Sequence, residues 1–200
     1  LETPEPGYRI CVFCGSRPGT RPVYSRLAGQ VGRVIARAGF GLVYGGGRVG
    51  LMGDAANAAL EAGGEVIGVI PEPLARKEIA HEGCSELIVV PDMHQRKALM
   101  AARSDAFLTM PGGVGTYEEF FEILTWSVLG LHAKPIGLLN VDGYFDPLIA
   151  LLEHGVEEGF MSPTDLQRVL VSDDPEDLVS RLPGLETGPP RPRWIEQDQT

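Results

Sequence analysis

Seven short apolar runs divide this 200-residue sequence: Arg9–Cys14, Gly41–Tyr44, Glu65–Ile70, Glu86–Val90, Ala106–Met110, Pro135–Leu139 and Arg168–Val171. Between them lie stretches with the spacing of amphipathic helices. Leu27, Val31, Val34, Ile35 and Ala38 keep it, as do Phe120, Ile123, Leu124, Ser127 and Val128. Strands apolar on both faces and alternating with helices imply a parallel sheet covered on both sides. The expected architecture is a doubly wound α/β domain over residues 8–182, with helices on both faces and ligands at the carboxyl ends of the strands. After Leu182 the chain turns rich in Pro and Gly, so residues 183–200, like residues 1–7, are expected to be flexible termini.

The run Pro111-Gly112-Gly113-Val114-Gly115-Thr116-Tyr117-Glu118-Glu119 follows one of these strands and opens a segment, Tyr117 to Leu129, that reads as a helix. A glycine turn at a helix N-terminus gathers free backbone N–H groups and the positive end of the helix dipole, so it suits an anion such as phosphate. Two carboxylates inside a phosphate site would repel it, which places Glu118 and Glu119 beside another part of the ligand. On an ideal helix Glu118, Glu122 and Thr125 share one stripe, and Glu119 projects about 100° away. Carboxylates in a first turn also complement the dipole, which accounts for one or two of them but not for the loop.

Three more strand ends carry distinctive residues. Gly15–Gly19 follows the first strand, Gly45-Gly46-Gly47-Arg48-Val49-Gly50-Leu51-Met52-Gly53 the second, and Pro91-Asp92-Met93-His94-Gln95-Arg96-Lys97 the fourth. All should open on the same sheet edge as the 111–119 loop. The 45–53 cluster departs from GxGxxG and lacks an acidic ribose partner, which disfavours a dinucleotide cofactor. A tight strand–helix turn alone would explain it equally well; a second glycine loop on the same edge favours ligand contact. Adjacent basic residues are usually solvated, but Arg96 and Lys97 stand just past a strand end, where Arg offers a planar fork of donors to an anion.

Composition narrows the function. A net charge of −10 argues against nucleic-acid binding, and no apolar run approaches the roughly 20 residues of a membrane span. No signal peptide is visible, and the chain reads as cytoplasmic. Cys11 and Cys14 sit three apart on a strand and should face opposite ways as buried residues, leaving no shared metal or disulfide. The histidines show no metal-ligand spacing; neither a metal nor a cofactor is expected.

PGGVGTYEE, MHQRK at Met93–Lys97 and GGGRVGLMG at Gly45–Gly53 together resemble the LOG ("Lonely Guy") family of cytokinin-activating phosphoribohydrolases. Cys14-Gly15-Ser16, Lys134–Asn140, Asp142-Gly143-Tyr144 and Glu157–Phe160 extend the resemblance across roughly residues 8 to 182. The resemblance implies a Rossmann-like fold, usually a homodimer with active sites near its interface. It also implies hydrolysis of the N-glycosidic bond of a nucleoside 5′-monophosphate to free base and ribose 5-phosphate. Arg96 and Glu119 match the family's catalytic pair. Glu78, Lys97, Gly112, Gly113, Val114, Gly115, Thr116, Tyr117, Glu118 and Thr125 match substrate-contacting positions, and Gly45, Gly46, Gly47 and Met93 are further candidates. Members have carried the label lysine decarboxylase.

Three rival readings stand beside this one. A general purine nucleotide nucleosidase acting on AMP would share the phosphate and ribose sites. A non-catalytic nucleotide-binding module would need the glycine loops without Arg96 and Glu119 together. Amino-acid decarboxylation with pyridoxal phosphate needs a Schiff-base lysine, and of Lys77, Lys97 and Lys134 only Lys97 stands near the inferred site.

Overall fold

A computed structural model describes residues 7–75 and 79–185 of the chain. Seven strands form one sheet: β1 (Arg9–Phe13), β2 (Gly41–Tyr44), β3 (Val66–Pro71), β4 (Glu86–Val90), β5 (Ala106–Thr109), β6 (Ile136–Leu139) and β7 (Val169–Ser172). The helices are α1 (Pro22–Arg37), α2 (Gly50–Glu61), the short α3 (Glu72–Leu74), α4 (Met93–Ala102), α5 (Val114–Val128), α6 (Asp146–Glu157), α7 (Pro163–Leu166) and α8 (Pro175–Arg181). The strand order is β4-β3-β2-β1-β5-β6-β7, with every pairing parallel. This is the doubly wound α/β architecture, and all seven expected strands are present within one residue at each end. No helix among the described residues is long and apolar enough to cross a membrane.

Alternation along β1 divides the core. Ile10, Val12 and Cys14 pack on one sheet face with Leu27, Val31 and Ile35 of α1, Ala55 and Ala59 of α2 and Leu178 of α8. Cys11 and Phe13 point to the other face, against Met100 of α4, Phe120, Ile123 and Leu124 of α5 and Leu152 of α6. Cys11 and Cys14 therefore lie on opposite faces, both buried and free, and burial pushes each thiol upward. Truncating a wholly buried residue such as Phe120 to Ala typically costs about 3–5 kcal/mol, the scale on which this second face depends on α5.

From β1 the chain winds outward through β2 and β3 to β4. It then crosses back through α4 to place β5 on the other side of β1, in register Ile10↔Ala106 through Phe13↔Thr109. At that junction α1 leaves for one face and α5 for the other, which opens a crevice at the carboxyl ends. Two bonds continue the β1–β5 pairing: Met110 N–H to the Phe13 carbonyl at 2.9 Å, and Gly15 N–H to the Pro111 carbonyl at 3.1 Å.

Two boundaries differ from expectation. α5 begins at Val114 rather than Tyr117, because Gly113 takes the extended N-cap conformation and Gly115 is accommodated inside the first turn. At the other end, Leu182–Gly184 forms a 3₁₀ turn with Leu182 buried and Leu185 against the core, beyond the expected limit at 182. Residues 1–6 and 186–200, and with them most of the two expected flexible termini, lie outside the described residues, as do Lys77 and Glu78.

α1 and α2 approach so closely that a Cβ on Gly32 would overlap the Ala55 carbonyl oxygen. Helix propensity alone would favour Ala at position 32 by about 1 kcal/mol. Overpacking should win, so Gly32→Ala is expected to destabilise the fold by about 1–3 kcal/mol in urea denaturation.

Candidate active site

The crevice widens into a cleft of about 670 Å³, within the range of small-ligand sites. Its walls come from the ends of six strands. Cys14–Gly19 follows β1, Gly45 and Gly47 follow β2, Ile70 and Leu74 end β3, Met93 and Arg96 follow β4, Pro111–Thr116 follows β5, and Tyr144 follows β6. Glu118 and Glu119 close the side formed by α5.

Arg96 and Glu119 face each other from α4 and α5, Nη2 to Oε1, at 3.9 Å. Their side chains are 8% and 11% exposed, so neither is a solvated surface charge. Arg96 reaches this place because residue 45 is glycine: a Cβ there would overlap the Arg96 Nη2 atom. One guanidinium nitrogen contacts Met93 Sδ at 3.6 Å, and the buried Nε has no hydrogen-bond partner among the described residues. A buried donor without an acceptor is costly in a free protein and is suited to a polar ligand. Burial pushes the Glu119 carboxyl up from its ordinary 4.5 to about 7; Arg96 opposes the rise and Glu118 adds to it. Glu119 therefore sits at the midpoint of its titration near neutral pH.

The α5 N-terminus supplies the opposite polarity. No side chain caps it, and the first helical bond runs from Tyr117 N–H to the Gly113 carbonyl at 3.0 Å. The N–H groups of Val114, Gly115 and Thr116 thus have no partner within the helix. Among the described residues a Cβ on Gly113 or Gly115 would meet nothing within 4 Å, so packing against them does not require glycine at either position. Their missing side chains leave clearance over a helix end of the kind suited to an anion. Gly112 is different, because a Cβ there would overlap the buried Thr116 side chain.

Comparisons with known proteins place the chain in a family. A family model described as "possible lysine decarboxylase" matches residues 52–182. Over 174 residues the chain is 56% identical to the cytokinin riboside 5′-monophosphate phosphoribohydrolase of Rhodococcoides fascians, covering 86% of this chain and 88% of that one. The chain belongs to the LOG family. A cytokinin riboside 5′-monophosphate phosphoribohydrolase of Arabidopsis thaliana is 47% identical over 178 residues, covering 89% of this chain and 82% of that protein. Among solved structures, the molybdenum cofactor carrier protein of Chlamydomonas reinhardtii superposes with a TM-score of 0.68 at 26% identity, over 90% of this chain and 99% of that one.

Within this LOG chain the residues singled out from sequence separate into groups. Gly45, Gly47, Met93, Arg96, Gly112, Gly113, Val114, Gly115, Thr116, Glu118 and Glu119 line the cleft. Gly46, Lys97, Tyr117 and Thr125 do not line it, and Glu78 lies outside the described residues. Lys97 is buried beneath α5, where its Nζ donates to Glu118 and, at 2.9 Å, to Glu122. Burial opposes its charge, but these two carboxylates outweigh it and raise the ammonium pKa. A lysine held this firmly as a cation is poorly suited to form a Schiff base, which needs the neutral amine. Tyr144 and the apolar group Leu51, Met52, Ile70, Leu74 and Ile79 also line the cleft, and sequence reasoning had not singled them out as site residues.

The Glu119 shift has a consequence for stability. Its folded value, about 7, exceeds the ordinary 4.5, so the folded state binds the extra proton between these values. The stabilising contribution is fully present below pH 4.5 and is lost as pH rises through 7. Glu119→Gln removes the buried charge and should stabilise the fold by up to about 3 kcal/mol at pH 8. Thermal melts from pH 8 to pH 4.5 should show that gain shrinking toward zero.

Proposed function

We propose that this chain hydrolyses the N-glycosidic bond of cytokinin (N6-modified adenine) riboside 5′-monophosphates, releasing free base and ribose 5-phosphate. The activity is the one named for its relatives at 56% and 47% identity. The observation that carries it is the buried Arg96–Glu119 pair, 3.9 Å apart, in one cleft with an uncapped, unobstructed helix N-terminus.

The substrate's phosphate sits on the N–H groups of residues 113–116, with Thr116 beside it. The ribose then lies along the first turns of α5, where Glu118 accepts from its hydroxyls. As the bond from C1′ to the base nitrogen breaks, its electron pair leaves with the base and positive charge grows on the ribosyl group. The Glu119 carboxylate faces that charge and orients the water whose oxygen bonds to C1′. Arg96 positions the substrate and assists departure of the base, which ends with the proton that the attacking water gives up. Glu119 is costly to ionise in the empty cleft and is relieved when the sugar becomes cationic. Such a gain is specific to the transition state, so it lowers the barrier rather than only tightening binding.

The apolar wall formed by Leu51, Met52, Ile70, Leu74, Ile79 and Met93 favours an N6 substituent of isoprenoid character over plain adenine. The same reading includes a homodimer in the cytoplasm. Thr125 is exposed and stands outside its own cleft, which suits contact with the site of a second copy. The free cysteines are compatible with a reducing compartment.

Chromatography of products from isopentenyladenosine 5′-monophosphate and from AMP at equal concentration tests the proposal. Base and ribose 5-phosphate should appear faster from the first than from AMP; no base from the isopentenyl nucleotide would overturn the hydrolase reading, and equal or faster release from AMP would overturn the N6 preference. Glu119→Gln should lower the rate about 10²–10³-fold, the scale for removing one electrostatic stabiliser.

A further inference from the structure

Tyr144 donates its hydroxyl proton to the Gly112 carbonyl at 2.5 Å. The Tyr117 hydroxyl, on the first turn of α5, lies 2.9 Å from the Tyr144 hydroxyl. With Tyr144's proton committed to the carbonyl, Tyr117 must be the donor in the second bond, giving the order Tyr117 to Tyr144 to Gly112. Burial, followed by the bond to Tyr117, pushes Tyr144 up to about 12, so it stays a donor across the working pH range.

The position of this bond matters because glycines stand on both sides of the Gly112–Gly113 peptide. Such a peptide has little steric restraint of its own and can rotate. A trans peptide is planar, and its C=O and N–H point in opposite directions. Fixing the Gly112 oxygen therefore fixes the Gly113 N–H, which no acceptor takes among the described residues. The preceding Pro111 carbonyl is held by Gly15, so Tyr144 completes the restraint of two successive peptides.

The turn that presents Tyr144 is unusually constrained. Asp142, φ 49°, and Gly143, φ 71°, are consecutive residues in the left-handed region. For a non-glycine residue this is strained, and it persists only where the surroundings over-determine it. Here Arg21 holds Asp142 at 2.5 Å, Asn140 Nδ2 donates to Asp146 at 2.7 Å, and Phe145 N–H donates to Asn140 Oδ1 at 2.6 Å. The Tyr144 ring also packs edge-on against Tyr24 and Phe145.

We infer that Tyr144, backed by Tyr117, is a positioning residue that holds the Gly112–Gly113 peptide with its N–H presented to the substrate's 5′-phosphate. The inference rests on the nucleotide reading above and extends it to a residue away from the reacting bond. In the sequence Tyr117 stands in the glycine motif and Tyr144 in a distant matching stretch; the bond between their hydroxyls needs the fold to see.

Tyr144→Phe keeps the ring and removes the donor. It should raise KM for the riboside 5′-monophosphate and Kd for ribose 5-phosphate about 3- to 10-fold, the worth of one neutral hydrogen bond. Over the same comparison kcat and the Kd of free adenine should stay within about 2-fold. Tyr117→Phe leaves Tyr144 donating and should give a smaller rise, under about 3-fold. Equal weakening of adenine and ribose 5-phosphate, whether from misfolding or general loosening, would overturn the inference. So would no change in either, or a larger effect from Tyr117→Phe. If the wild-type protein released no base, the hydrolase reading would fail, while the two binding constants would still judge the peptide.

Discussion

The site depends first on β1 lying beside β5. The pairing continues past the strands through Gly15 and Pro111, so two loops from distant parts of the chain are tied at the point where α1 and α5 leave for opposite faces. The crevice is thus a product of topology. No loop has to be long or mobile to make it; the sheet leaves it open, and the helix end beside it brings a partial positive charge.

What fills the crevice is opposed to stability. Glu119 is buried with its titration moved to about 7, and the buried Arg96 Nε has no partner among the described residues. The ion pair between them is loose at 3.9 Å, longer than a charge-assisted hydrogen bond. Both groups are held by well-packed helices, α4 and α5, whose other residues form one face of the core. The arrangement is the expected one for preorganised electrostatics, in which the fold carries the strain of charges that become useful only when substrate charge develops. The glycines show the same division. A Cβ at Gly45 or Gly112 would overlap neighbours inside the protein, whereas at Gly113 or Gly115 it would meet nothing within 4 Å among the described residues.

Much of this was legible in the sequence, for physical reasons. Buried parallel strands are continuous apolar runs, so all seven could be read to within one residue. Arg96, Glu119 and the glycine loop were legible because strand ends in such a fold share one edge. The start of α5 was not, since local propensity reads glycines as loop while Phe120 and Ile123, packed into the core, secure the helix from further along. Lys97 shares a dipeptide with Arg96 but turns to Glu118 and Glu122, a difference of helical phase that needs the partner helix to see. Tyr144 and the apolar wall come from separate segments, and only the fold brings them together.

The central claim is that one short segment holds both halves of the site, glycines for the phosphate and a glutamate for the sugar. A crystal structure of the protein with ribose 5-phosphate bound tests it most directly. The account predicts phosphate oxygens on the N–H groups of residues 113–116 and C1′ turned toward the Glu119 carboxylate, with room for one water between them, about 3–3.5 Å from each. A phosphate seated elsewhere in the cleft, with C1′ turned away from Glu119, would contradict it.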